Sequence, residues 1–237
     1  MLKYRYIAFD KISNTQNVAK LLIKKEDIYL NIPLIIHGYR QLYGRGRYKK
    51  FWHSPLGNLY FSIIISNINA SHICFLTALA IRSAINYYIP NILIEYKWPN
   101  DIMVEGKKIA GILVESINRY IIVGVGVNIN IYPKIDSLKL GALKNFTKKE
   151  IDISSLLSNI TNQFDYYLSI LVSKGFSKIR NLWLKNAYKL NQEISFNIPD
   201  YNSTRVIKGK FCGITDEGDI IIENNFGTNI FYIGEIL

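Results

Sequence analysis

Residues 92–130 carry four strand-like segments in succession: ILIEYKW, DIMVEGKK, IAGILVES and YIIVGVGVNIN. This β-rich run constrains the fold more than any other part of the chain. Runs of branched aliphatic and aromatic residues bounded by turn signals read as strands, and Glu105-Gly106 supplies a turn between them. KYRYIAF at 3–9, IPLIIHGY at 32–39 and NLYFSIIIS at 58–66 read as further strands. Helical spacing appears in four places. Val18, Leu21 and Leu22 mark a short helix over 14–25. Ile73, Leu76, Leu79, Ala80 and Ile85 mark one over 69–88, with Pro90 as its stop. A third begins near Ile153, capped by Asp152 or Ser154, and carries Leu156, Leu157, Ile160, Phe164 and Leu168. A fourth covers 176–188, and residues 131–146 read as a loop. After Asn191 the pattern changes to short strands and turns. The expected architecture is α+β: a mixed, mostly antiparallel sheet with helices over 1–190, then a small β-barrel over 191–237.

The chain has 237 residues and is 49% hydrophobic, enough for one substantial core with room for a small second domain. Cys74 and Cys212 fall in no CxxC or CxH spacing, so neither a disulfide framework nor a zinc site is expected. They read as reduced core thiols of a reducing, cytoplasmic compartment. The N-terminus lacks the long apolar core of a signal peptide. The most apolar segment, near 73–94, is broken by Arg82, Asn86 and Pro90, so no membrane span is expected. The net charge of +11 suits an acidic or phosphorylated partner, but the lysines are spread through a chain rich in Lys, Ile, Asn and Tyr. The dispersed basic charge therefore reads as compositional bias before it reads as a nucleic-acid footprint.

Arginine is scarcer, and GRGRYKKFWHSPLGNLYFS at 44–62 concentrates it. Gly44 and Gly46 let a backbone take positive φ and approach a ligand closely. Successive N–H groups in such a turn form an anion nest. Arg45 and Arg47 bring forked donors matched to carboxylate and phosphate, and Trp52 brings a flat apolar face. The loop is neither a Walker A motif nor GxGxxG. Its chemistry suits an anionic ligand with a planar group, such as a nucleotide.

Three more motifs follow in order: KWPND at 97–101, GKKIAGILVE at 106–115 and VGVGVNIN at 123–130. With the GRGR loop, this ordered set resembles the biotin protein ligases, from about Asp10 to the C-terminus. The resemblance implies a catalytic domain of the class II aminoacyl-tRNA-synthetase-like kind followed by an SH3-like barrel. It implies an activity in two steps. Biotin and ATP give biotinyl-5′-AMP and pyrophosphate, and the biotinyl group then passes to one lysine of a biotin carboxyl carrier protein. Mg²⁺ is the implied cofactor. The catalytic pattern begins within the first ten or so residues, so the expectation is a monofunctional ligase without a DNA-binding domain, acting on no specific nucleic acid and no membrane, as monomer or homodimer.

The resemblance also assigns residues. Lys108 neutralises charge between the biotin carboxylate and the α-phosphate, with Arg45 and Arg47 on a loop that orders over the ligand. Lys107 reads as solvated. Gln41, Gly44, Gly46, Gly111 and Gly124 line the biotin pocket. Asn100 and Asn128 lie near adenine, where an amide both donates and accepts. Asp101 either binds Mg²⁺ or orients Lys108. Trp52 anchors the loop or stacks on the adenylate. The family's Ser-Thr-Asn reads here Ser13-Asn14-Thr15, with the last two exchanged, at the ureido ring of biotin. The family's loop after VGVGVN often holds an adenine-covering aromatic, and here KIDSLKLGALKNF at 134–146 offers only Phe146. His37, His53 and His72 read as surface or packing residues. The rival readings are a lipoate ligase of the same fold and a basic nucleic-acid-binding module.

Overall fold

A computed structural model describes residues 2–25, 32–66, 69–135, 138–199 and 204–237. The β-rich run forms four consecutive strands: β4 (Ile94–Lys97), β5 (Asp101–Val104), β6 (Lys107–Ile117) and β7 (Tyr120–Val127). The β5–β6 connection is the expected Glu105-Gly106 turn, with both residues at positive φ (49° and 70°). With β1 (Arg5–Phe9), β2 (Leu34–Gly38) and β3 (Leu59–Ser66) these strands build a seven-stranded sheet of order β1-β2-β3-β7-β6-β5-β4. Among the described residues only the β1–β2 pair of this sheet is parallel.

Both faces of the central strands are covered, which is why β3 reads as an unbroken apolar run. Alternation splits its side chains. Ile63 and Ile65 join the main core, while Ile64 points to a second cluster under α1 (Thr15–Lys24). The main core is closed by α2 (Ala70–Tyr88), α3 (Ile153–Lys174) and α4 (Phe176–Leu184). Local capping sets the starts of three helices. The side chains of Asn14, Asn69 and Asp152 accept from the backbone N–H groups of Asn17, Ser71 and Ser155 at 2.7, 2.9 and 2.7 Å. Gly175, at φ 73°, ends α3.

The remaining strands, β8 (Glu193–Pro199), β9 (Thr204–Ile214), β10 (Ile220–Asn224), β11 (Gly227–Phe231) and β12 (Glu235–Ile236), form an antiparallel sheet of order β11-β10-β9-β8-β12. Among the described residues it is an open antiparallel sheet, and the closed barrel expected from the sequence is not seen. Among the described residues its edge strands β11 and β12 do not pair, and a two-residue β12 offers little ladder beyond the one it forms with β8. This sheet shares the main core through Phe196, Phe211, Ile220 and Ile222. Trp98 joins the two units: its ring lies 5.7 Å from that of Phe196, and its Nε1 donates to Gly218 O at 2.9 Å. That docking brings residues 234–237 against the face of the large sheet where the sequence motifs gather. Among the described residues no helix is long and apolar enough to cross a membrane.

Candidate functional site

A cavity of about 540 Å³ opens over β5, β6 and β7. Its other walls are the start of α1, the loop over 45–53, Pro133, Ile135, residues 138–140 and residues 235–237. Gly111 of β6 faces Gly126 of β7 across the ladder. The Trp52 indole spans both. A methyl group on Gly126 would sit 2.6 Å from Trp52 Nε1, and one on Gly111 would sit 3.0 Å from Trp52 Cζ3. A planar ring therefore does lie against bare sheet backbone, and in this structure it is the chain's own. Gly124 is covered in the same way by the Gln16 side chain, at 3.0–3.2 Å from a would-be Cβ.

Lys108 enters the cavity through an irregularity of its strand. Ile102 pairs with Ala110 but Met103 pairs with Lys108, so Ile109 is an extra residue in β6. Without that bulge Lys108 and Gly111 would face opposite sides of the sheet. With it, both line the cavity. Lys108 Nζ lies 2.6 Å from Asp101 Oδ1 and 5.2 Å from the centroid of Trp52. Lys107 is exposed and reaches the Phe146 ring at 6.0 Å.

The GRGR loop is a small hairpin. Arg45 bridges Phe51, and Gly46 N and Trp52 N donate to Lys50 O and Gly44 O at 2.8 and 2.9 Å. The glycines do not supply positive φ. Tyr48 (φ 53°) and Lys49 (φ 59°) do, while Gly46 is extended at φ −106°. Gly44 is required for packing instead: a Cβ there would overlap Trp52 O and Ser54 Oγ. The hairpin is pinned to the second sheet. Arg47 Nη1 donates to Gly234 O at 3.2 Å, and Lys50 Nζ pairs with Glu235 at 2.7 Å.

Asn14 caps α1 and donates to Tyr43 O at 3.0 Å. Thr15 Oγ1 accepts from Ser62 at 2.7 Å, and Gln41 Oε1 accepts from Thr15 N at 2.9 Å. Asn100 and Asn128 donate to the backbone carbonyls of Ile112 and Gly141 at 2.7 and 3.1 Å, which fixes their amides against the sheet. Among the described residues seven lysine and arginine side chains but only two acidic side chains, Asp101 and Glu235, line the cavity, so it favours a polyanion. Burial, the largest cause, holds the Lys97 ammonium below the usual lysine range. Asp101 and Glu235 oppose that shift, while Lys108 and Lys189 add to it. Among the described residues no three His, Cys, Asp or Glu side chains gather to hold a metal.

The pattern of the biotin/lipoate A/B protein ligase family matches residues 8–131, more than half of the chain. The chain belongs to this family. One relative within reach of this biotin/lipoate ligase sequence is the bifunctional ligase/repressor BirA of Bacillus subtilis, 31% identical over 97% of this chain and 73% of its own length. Another is the biotin–[acetyl-CoA-carboxylase] ligase of Paracoccus denitrificans, 29% identical over 83% of this chain and 86% of its own length. The biotin protein ligase of Aquifex aeolicus, solved in complex with biotin and ATP, superposes with a TM-score of 0.83 at 23% identity, covering 98% of this chain and 97% of that one. The fold is therefore that of a biotin/lipoate ligase.

Within this ligase fold the cavity gathers Asn14, Thr15, Gln41, Arg45, Gly46, Arg47, Trp52, Asn100, Asp101, Lys108, Gly111, Gly124 and Asn128 of the residues singled out from sequence. Ser13 and Gly44 do not line it, and Ser13 is exposed. Phe146 packs against the main core and not over the cavity; the apolar residues that segment 133–140 contributes are Pro133, Ile135, Leu138 and Leu140. His53 lines the cavity, whereas His37 is fully buried and His72 stacks on Phe176 at 3.9 Å. Sequence reasoning missed Gly126, Gln16 and Lys97. Strand alternation within VGVGV puts Gly126 on the face of Gly124, and that signal was available in the sequence.

Proposed function

We propose that this chain is an ATP-dependent biotin–protein ligase that forms biotinyl-5′-AMP and transfers the biotinyl group to a lysine of a biotin carboxyl carrier protein. Its membership of the ligase family and its biotin-ligase relatives support the activity. One observation carries the assignment to this cavity. Arg45 Nε and Trp52 Nε1 are buried donors without partners, and they belong to two residues that line the cavity holding the Lys108–Asp101 pair. Buried donors are normally satisfied, so two orphans at one site suit a ligand that carries acceptors.

In the first step an oxygen of the biotin carboxylate attacks the α-phosphorus of ATP and pyrophosphate leaves. Two anions must meet, so the work of the site is to hold them in line and neutralise the charge that develops. Lys108 takes that role from the floor and Arg45 and Arg47 take it from the loop. Asp101 orients Lys108 through their 2.6 Å pair. Gln41, Thr15 and Asn14 position the ureido ring, with Gly111 and Gly124 beneath the acid; Asn100 and Asn128 border the adenine. In the second step the carrier lysine, as free amine, attacks the acyl carbon and AMP leaves. Retention of the adenylate in a closed, cationic pocket excludes water until then.

Mg²⁺ fits this reading as an ion bound largely through substrate phosphates, since Mg²⁺ needs only one or two carboxylates from the protein and Asp101 is one. The reading takes 1–190 as the catalytic portion and 191–237 as an accessory β unit, with the cytoplasm as the compartment. Cys74 and Cys212 as free thiols agree with a reducing environment.

The test is biotin-dependent ATP–pyrophosphate exchange on the purified chain, followed by transfer of labelled biotin to a carrier domain. Exchange with biotin, and not with lipoate or octanoate, is the expected result. Preference for lipoate would assign the other branch of the family, and exchange with none of the three acids would overturn the reading.

A further inference from the structure

Arg45 reaches the cavity from a loop, yet its guanidinium is held from the sheet. Its Nη2 donates to both carboxylate oxygens of Glu115, at 3.3 and 3.1 Å. Glu115 also accepts Lys20 Nζ at 2.8 Å. Glu115 lies on β6 at the same parity as Gly111 and Leu113, so the face that floors the cavity continues into this carboxylate. Lys20 lies one helical turn beyond Gln16, whose amide donates to Leu113 O at 2.9 Å. Helix α1, strand β6 and the loop thus meet at one carboxylate, remote from the Lys108–Asp101 pair.

Holding one end of a guanidinium fixes the plane of the rest. Glu115 takes only Nη2, and the Nε donor of Arg45, a residue of the cavity wall, stays buried and unpartnered. A lone carboxylate would cancel the attraction of Arg45 for an anion. Here Lys20 shares it, so the three-charge cluster keeps a net positive charge. The side chains of Lys20, Arg45 and Glu115 are 30%, 29% and 25% exposed, partly shielded from water and salt.

We infer that Glu115 is a positioning residue of this site: it holds the Arg45 guanidinium by Nη2 so that Nε faces the carboxyl–phosphate end of the acyl adenylate, with Lys20 as its second counter-ion. The inference rests on the proposed biotin ligase function. A role in folding alone would leave no coupling between Glu115 and Arg45 in ligand retention, and this separates the two.

The experiment is a double-mutant cycle on the full chain, reading the dissociation rate of preformed biotinyl-adenylate. Glu115→Ala is expected to speed dissociation by about 3- to 10-fold, and to add almost nothing in an Arg45→Ala background. Glu115→Gln, which keeps an acceptor but no charge, falls between wild type and Glu115→Ala. Lys20→Met has a smaller effect, since Arg45 keeps its anchor. Thermal midpoints are measured alongside, and if Glu115→Ala does not fold the same cycle is read with Glu115→Gln. Effects that simply multiply, or a Glu115 variant that retains the adenylate as wild type does, would overturn the inference while leaving the ligase reading intact. A wild-type chain that forms no biotinyl-adenylate would sink both.

Discussion

Lys108 and Gly111 lie on the same side of β6 although three positions separate them: the position of a Cβ on Gly111 is 3.4 Å from Lys108 Cε. The extra residue Ile109 makes this possible, and it separates Lys108 from its neighbour. Lys108→Ala should lower the rate of biotin-dependent pyrophosphate exchange by about 100-fold or more, as loss of a charge-stabilising donor does elsewhere. Lys107→Ala, at an exposed position, should stay within about twofold of wild type, since surface substitutions seldom matter. Equal losses for the two variants would contradict the assignment.

The Gly111–Gly126 pair accommodates a planar group, and Trp52 fills it. Gly126→Val puts branched carbon where the indole lies, 2.6 Å from Nε1. The indole must leave, and Lys108 loses a neighbour at 5.2 Å. Tryptophan fluorescence should report greater solvent exposure, and biotin binding measured by calorimetry should weaken. Unchanged emission and affinity would show that the ring does not depend on this slot.

Arg45→Ala and Gly44→Ser should both release biotinyl-adenylate early, by different routes. The first removes a guanidinium of the cavity lining together with its orphan Nε donor. The second forces a Cβ into Trp52 O and Ser54 Oγ and so displaces the segment that carries Trp52. The free mixed anhydride acylates any amine. Incubation with biotin, ATP and an unrelated lysine-rich protein should then label the bystander. Wild-type dissociation rates with no bystander labelling would show that the loop does not retain the intermediate.

His37 should make the fold sensitive to mild acid. Its ring is fully buried, and its Nδ1 is 2.7 Å from Tyr6 Oη. Burial holds its pKa below the usual histidine value of 6.5. As pH falls through about 6.5 the unfolded imidazole takes a proton first. The unfolded state therefore binds more protons, and stability drops until the folded pKa is passed. Urea midpoints of wild type should fall in this window. His37→Asn, though less stable at neutral pH, should show a shallower fall. Identical slopes would place the acid sensitivity elsewhere.

Much of the site was legible because its residues sit in ordered motifs whose chemistry is local. Two glycines beside two arginines, a lysine ahead of Ile109-Ala110-Gly111, and VGVGVN each carry their meaning within a few residues. What was misread depends on partners distant in the chain. Gly44 was expected to supply positive φ, but its need for a missing side chain comes from Trp52 O and Ser54 Oγ, eight and ten positions away. Phe146 was the one aromatic that KIDSLKLGALKNF offered to cover adenine, and the core claimed it. Glu115 stood in the quoted GILVE segment, but nothing local assigns a carboxylate to an arginine 70 positions earlier.

The sequence by itself determined the α+β class, the strands and their order along the chain, and the helix starts at Asn14 and Asn69, with Asp152 as one of two candidates for the third. Apolar periodicity and capping are properties of short windows. Its four ordered motifs also carried the resemblance to the family. Tertiary structure alone decided three things. Among the described residues the five-stranded unit is an open sheet whose edge strands β11 and β12 do not pair. The bulge at Ile109 puts Lys108 into the cavity because β5 and β6 differ by one residue over their ladder. Arg45 is aimed from Glu115 and Lys20, which lie on separate elements. Strand pairing, register and charge pairing are long-range contacts, and they exist only once the chain has brought distant residues within a few ångströms of one another.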